Sequence, residues 1–211
     1  HTRFKCDWSS DVCSSDLKDM EKGVRLLEET IRKGEMTAIV SDFDDDGIFA
    51  GEILYEGIRN CSGSAMIFTP ERVTEGYGMN RRIIDEAKKA GCSLILTCDN
   101  GIACFEETRY AHELDLKVVI TDHHEIQETV PEADAVIDPK QPGCAYPFKG
   151  LCGAGVAFRL IQLLYQRFGV PEEKEEELYE YTAIATVADV MELKGENRIL
   201  VREGLKRLRD T

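Results

Sequence analysis

Three runs of aliphatic and β-branched residues each break off into polar, acid-rich sequence. Thr37-Ala38-Ile39-Val40 leads into Ser41-Asp42-Phe43-Asp44-Asp45-Asp46-Gly47, Leu94-Ile95-Leu96-Thr97 into Asp99-Asn100-Gly101, and Val118-Val119-Ile120-Thr121 into Asp122-His123-His124. Near-continuous apolar runs of this length are the pattern of strands buried on both faces. The pattern predicts helix 18–33, strand 37–42, helix 47–60, strand 64–69, helix 79–90, strand 93–98, helix 103–115 and strand 117–121. A further short strand is expected at Ala135-Val136-Ile137. After Lys149 the chain turns helical, over 153–168, 173–189 and 197–209. Repeated βα units joined by right-handed crossovers give an α/β fold: a parallel doubly wound sheet of about five strands flanked by helices, with a helical C-terminal part.

In an open parallel sheet the carboxyl ends of the strands share one edge, where ligands bind. The three polar strand ends are therefore expected to converge on one site with Asp and His ligands. Each cluster also has a plainer reading: Asp-Gly closes turns and caps the next helix, and a strand-end His is often simply hydrogen-bonded. Recurrence on three strand ends favours metal. Carboxylates with one or two imidazoles and no thiolate suit Mn²⁺ or Mg²⁺ better than Zn²⁺. Two such ions in a hydrolase are the natural reading.

The 211-residue chain can hold one sizeable α/β core, and 43% apolar content without low-complexity tracts fits an ordered globule. No apolar run reaches the ~20 residues of a membrane span. The eight cysteines contain no C-x-x-C pair and follow no signal peptide, which points to a reducing cytoplasm and to Cys98 and Cys104 as buried thiols rather than ligands. The net charge of −14 is unusual for a protein that grips nucleic acid, although metal ligands and the solvated acidic run 172–177 account for part of it.

Asp122-His123-His124 resembles the signature of the DHH phosphoesterase superfamily. Ser41 to Gly47 is similar to the first motif of its RecJ-like branch, the single-strand-specific 5′ to 3′ exonucleases. Asp99-Asn100-Gly101-Ile102 resembles the second motif and Ala185-Thr186-Val187-Ala188-Asp189-Val190 the fourth. Pro70-Glu71-Arg72, Glu75-Gly76-Tyr77-Gly78, Asp138-Pro139-Lys140-Gln141-Pro142-Gly143 and Tyr146 to Leu151 extend the likeness, which covers 18–211. It implies a DHH catalytic domain over that span, ending ahead of the nucleic-acid-binding domains of such proteins. Residues 1–17 lack periodicity and read as a non-native or disordered segment, the alternative being a genuine extension.

The resemblance also implies site residues. Asp44 and Asp46, projecting to one side if that segment is extended, each hold one of two Mn²⁺ or Mg²⁺ ions. Asp99 bridges both ions, and His123 and Asp189 complete the second. Many relatives carry a His where this chain has Val40, a gap for Asp42 or water to fill. His124 is expected on the substrate phosphate, with Asp122 either orienting it or forming a turn. Lys149, Gly153 and Gly155 open a helix that either offers N–H groups to a DNA phosphate or packs closely. The Glu75-Gly76-Tyr77-Gly78 loop, near Arg72, Arg81 and Arg82, either stacks or clamps a nucleotide or forms a plain turn.

Single-stranded DNA is the implied substrate, in repair and recombination, with a single-strand-binding protein and a helicase as partners by resemblance. Two other readings stand beside it: a family phosphodiesterase on short oligonucleotides or cyclic dinucleotides, and a non-catalytic scaffold. Small-substrate members begin the first motif with His and a Pro-Asp-x-Asp pattern, unlike Val40 and Asp42-Phe43-Asp44 here. A scaffold would have lost ligands, and all five of Asp44, Asp46, Asp99, His123 and Asp189 are present.

Overall fold

The structure, a computed structural model, describes residues 14–209. Five parallel strands, β1 (Met36–Ser41), β2 (Ser64–Phe68), β3 (Cys92–Cys98), β4 (Lys117–Thr121) and β5 (Ala135–Ile137), stand in the order β2-β1-β3-β4-β5. Alternation along each strand sends side chains to opposite faces. Ile39, Leu94, Leu96, Val119 and Ile137 enter one core, while Val40, Ile95, Val118, Ile120 and Val136 enter another. Helices α1 (Met20–Arg32), α2 (Asp45–Asn60) and α5 (Gly153–Phe168) cover the first core; α3 (Arg81–Lys89) and α4 (Phe105–Glu113) cover the second. This is the doubly wound arrangement read from the sequence. The chain order reverses direction between β1 and β3, the place where such sheets open a crevice.

Two boundaries differ from expectation. Helix α2 begins at Asp45, because the Asp44 side chain caps it by accepting from Gly47 N at 2.9 Å. Asp44 and Asp46 therefore do not share an extended segment. The expected break after Leu17 also moves, since Ser14–Asp16 form a short 3₁₀ turn and Leu17 is only 1% exposed inside the first core. Residues 1–13 of that expected segment lie outside the described residues. Among the described residues, no helix is long and apolar enough to cross a membrane.

Helices α6 (Glu172–Ala188) and α7 (Gly195–Leu208) form a further layer over α2 and α5. Phe49 of α2 stacks on Tyr181 of α6 with ring centroids 6.0 Å apart. Buried Glu196, in the first turn of α7, accepts from Arg159 Nη2 at 2.5 Å and from Tyr146 Oη at 2.7 Å. Asn197 Nδ2 donates to Gly150 O at 2.6 Å and to Glu192 O at 3.1 Å. These bonds tie α7 to α5 and to the loop before it, so the turn carrying Asp189 out of α6 is fixed on both sides.

Glu196→Ala would leave the Arg159 guanidinium buried without its charge partner, a loss of about 3–5 kcal/mol. Urea unfolding followed by circular dichroism should show the midpoint fall accordingly.

Candidate metal centre

Asp42 follows β1, Asp99 follows β3, and Asp122 and His123 follow β4, so the three polar strand ends lie side by side on the carboxyl edge. Asp99 adopts a left-handed backbone (φ 60), which Asp tolerates better than most residues. Asn100 holds it there: its Nδ2 donates to Val40 O at 2.9 Å and Cys98 O at 2.8 Å, while its Oδ1 accepts from Met79 N at 3.2 Å. The ends of β1 and β3 are thus stapled together. Asp46 arrives from the first turn of α2, and Asp189 from the C-cap of α6.

His123 Nε2 lies 3.0 Å from Asp99 Oδ1, 3.6 Å from Asp46 Oδ2 and 3.8 Å from Asp189 Oδ2. Ligand atoms of Asp46, His123 and Asp189 fall within 4.8 Å of one another, as do those of Asp42, Asp44 and Asp99, and those of Asp99, His123 and His124. Asp42, Asp46 and Asp99 are buried; Asp44 is exposed. Despite the 3.0 Å approach, Asp99 Oδ1 is buried with no aligned hydrogen-bond donor.

Burial, then the charges of Asp46 and Asp44, pushes the Asp99 carboxyl up to about 11. Burial also raises Asp42 and Asp189, the latter with Asp46 as second cause. His123 is lowered by burial against the pull of Asp46, so its imidazole is neutral and offers a lone pair. Crowded oxygens, an orphaned buried carboxylate atom and a neutral imidazole fit a hard divalent cation. The thiols stand aside: burial raises both Cys98 and Cys104, and each faces a backbone carbonyl, Val40 O and Met79 O respectively.

His124 differs from its neighbour. Its Nδ1 lies 2.7 Å from Asp122 Oδ1, and that bond raises the imidazole; its side chain remains 56% exposed. Asp122 is buried, yet bonds from His124 and from the N–H groups of Ile102 and His123 outweigh desolvation and lower it. The Asp122–His124 pair thus holds an imidazole, favoured in its protonated form by that bond, facing solvent beside the cluster.

Of the two readings of the start of α5, the geometry fits close packing: Gly153 N donates to Asp46 Oδ2 at 2.6 Å and Ala154 N to Asp46 Oδ1 at 2.8 Å. Close packing explains the glycine, since a Cβ on Gly153 would sit 2.5 Å from Asp99 Cβ. Lys149 Nζ is bonded to Cys144 O at 3.0 Å. Arg82 is held by Glu75 and Glu86, and Arg81 lies over the Tyr110 ring, so neither reaches toward the cluster. Arg72 and Tyr77 do: Arg72 lies over the Phe43 ring, and Tyr77 packs on that ring between Asp42 and Asp44.

One acid was missed. Asp138 is fully buried at the end of β5; its Oδ1 accepts from Lys140 N at 2.7 Å, while its Oδ2 has no partner. Asp122 N bonds Ile137 O, so Asp122 and Asp138 follow neighbouring strands. The strand-then-acid pattern, applied to Ala135-Val136-Ile137-Asp138, would have found it.

The DHH family, N-terminal domain, matches this chain over residues 36–188. The single-stranded-DNA-specific exonuclease RecJ of Bacillus subtilis (strain 168) is 39% identical over 196 residues, which are 93% of this chain and 24% of that protein. A crystal structure of exonuclease RecJ bound to manganese aligns with a TM-score of 0.82 at 36% identity, covering 90% of this chain and 48% of that one. RecJ in complex with Mn²⁺ from Thermus thermophilus aligns at 0.79 with 31% identity, covering 96% and 29%. The chain spans less than half the length of each of these three relatives.

Burial lifts Asp138 to about 7, so the folded protein keeps a proton that the unfolded chain releases near the usual carboxylate range. That stability is present at low pH and lost as pH rises through about 7. The loss begins near pH 4 and is complete a little above pH 7, so Asp138→Asn should gain on the unaltered protein between pH 5 and pH 8 by about 2–3 kcal/mol, at ~1.4 kcal/mol per pH unit. Urea midpoints of both proteins at the two pH values give the measurement, and parallel curves would refute the burial argument.

Proposed function

The chain belongs to the DHH family, and on that footing we propose that it hydrolyses phosphodiester bonds of single-stranded DNA from the 5′ end, as a two-metal exonuclease of the RecJ kind. One observation carries this reading: acids from three strand ends and two helix ends meet around His123 with a buried oxygen of Asp99 left unbonded. Asp44, Asp46, Asp99, His123 and Asp189 would hold two divalent ions, Mn²⁺ or Mg²⁺. Asp42 stands where the missing imidazole of Val40 leaves a gap. The manganese-bound RecJ structures support the choice of ion. Such ions lower the pKa of a bound water and neutralise charge on the phosphoryl group.

The chain's own part is to orient and donate. Asp122 fixes His124 through Nδ1, which leaves the other ring nitrogen to donate to a phosphate oxygen. Arg72 adds a cation beside the same mouth. The domain reading belongs here too: 18–211 act as the catalytic DHH domain, with nucleic-acid-binding domains in the longer relatives. A cytoplasmic role in repair and recombination, with a single-strand-binding protein and a helicase as partners, follows from the family likeness.

The deciding experiment incubates the chain and two variants with Mn²⁺ and 5′-labelled single strands, duplexes and dinucleotides. Single strands should be shortened from the 5′ end and duplexes spared; preference for dinucleotides would favour the short-substrate reading. Asp99→Ala should lose both ions, by calorimetric titration, and all turnover. His124→Ala should keep both ions while cleavage slows about 100-fold. Equal ion loss in the two variants would overturn the division of roles.

A further inference from the structure

Between β2 and α3 the chain makes an ordered loop with an aromatic residue at its tip. Tyr77 stands between Gly76 and Gly78, whose backbones are left-handed at φ 78 and φ 80, a region open to glycine at little cost. The loop is braced from within: Glu75 accepts from Glu71 N at 2.8 Å and from Arg82 Nε and Nη2 at 2.5 and 2.7 Å, and Met79 N reaches Asn100. Tyr77 is 73% exposed, yet its ring lies 4.9 Å from the Phe43 ring, tilted by 35°. Phe43 is the residue between Asp42 and Asp44, and the Arg72 guanidinium sits 5.1 Å from its ring centroid.

An aromatic surface next to so many carboxylates calls for a ligand that is flat and does not depend on phosphate contacts. The surrounding charge sharpens this. The chain carries −14, and Arg81 and Arg82 are spent on Tyr110, Glu75 and Glu86. A strand whose phosphate lies at the acidic cluster can gain sequence-tolerant affinity there by stacking a base, worth about 1–3 kcal/mol.

We propose that Phe43 and Tyr77 form a stacking step for one nucleobase adjoining the phosphate at the metal centre. The step rests on the reading of the chain as a single-strand nuclease and adds to it how the strand is gripped.

The test uses short single strands carrying 2-aminopurine at the first, second or third position from the 5′ end, with Mn²⁺ present. Binding should quench the fluorophore at one position, Tyr77→Ala should abolish the quench, and Tyr77→Trp should restore it. In cleavage, Tyr77→Ala should lose about 10-fold or more in kcat/KM on a normal strand, and within about twofold on a strand abasic at the quenched position. Bound strand without quenching, quenching indifferent to Tyr77→Ala, or equal losses on both strands would each overturn the step. Quenching without hydrolysis would support the step while sinking the nuclease reading, and a chain that binds no strand would overturn both.

Discussion

Asp46 is where the electrostatic demands of this molecule meet. Its two oxygens take the first two N–H groups of α5, at 2.6 and 2.8 Å, while the residue itself sits in the first turn of α2. Two helices thus aim their positive ends at one buried carboxylate. That arrangement lets further acids gather around it, because part of the repulsion is offset by fixed backbone dipoles. The offset is incomplete, as the elevated Asp99 carboxyl shows. The same bonds fix where α5 starts, and α5, through Arg159 and Glu196, fixes α7. The carboxylate cluster and the start of α5 therefore share one contact, while α6 packs on α2 and α7 on α6.

Asp189 extends the logic and strains it. It lies at the C-cap of α6, where the helix dipole disfavours a negative charge, and it faces Asp46 across the cluster. Val190, directly after it, takes a left-handed backbone (φ 56) that a β-branched residue rarely adopts, and is 87% exposed. Packing does not repay that conformation. The turn is held because α6 packs on α2 and α7 packs along α6, with Glu196 bonded to Arg159 of α5.

Most of the sheet was legible because its strands are local: an apolar run, a polar end, a helix. Ala38 to Val40, Leu94 to Thr97 and Val118 to Thr121 announced both the strands and the Asp and His cluster that follows them. Periodicity could not show that Asp44 would cap α2, since a cap is decided by which N–H groups lack partners. Nor could it separate the two readings of Gly153, which depended on Asp99, 54 positions earlier in sequence and in contact only after folding. Asp189 was reached through resemblance, because a helix end owes its place to packing across the whole domain. Leu17 shows the opposite error: an irregular composition hid a residue that the core needs.

The acidic balance, unusual for a member of a family whose relatives act on single-stranded DNA, follows from the same geometry. Carboxylates concentrated at the sheet edge repel phosphate until cations intervene, so affinity for a strand and occupancy by metal are linked. Few basic groups remain near that edge. Arg72 lies over Phe43, the Asp122–His124 pair presents an imidazole whose pKa is raised by that contact, and Lys149 is turned back onto Cys144. With so little positive charge in place, a strand held here as proposed would depend on the cations for its phosphate and on aromatic surface for its bases. Neither contact reads sequence, since phosphates are alike and every base has a stacking face. If the proposed reading holds, a site built this way would treat successive nucleotides equally, which is the property an enzyme needs to remove them one after another.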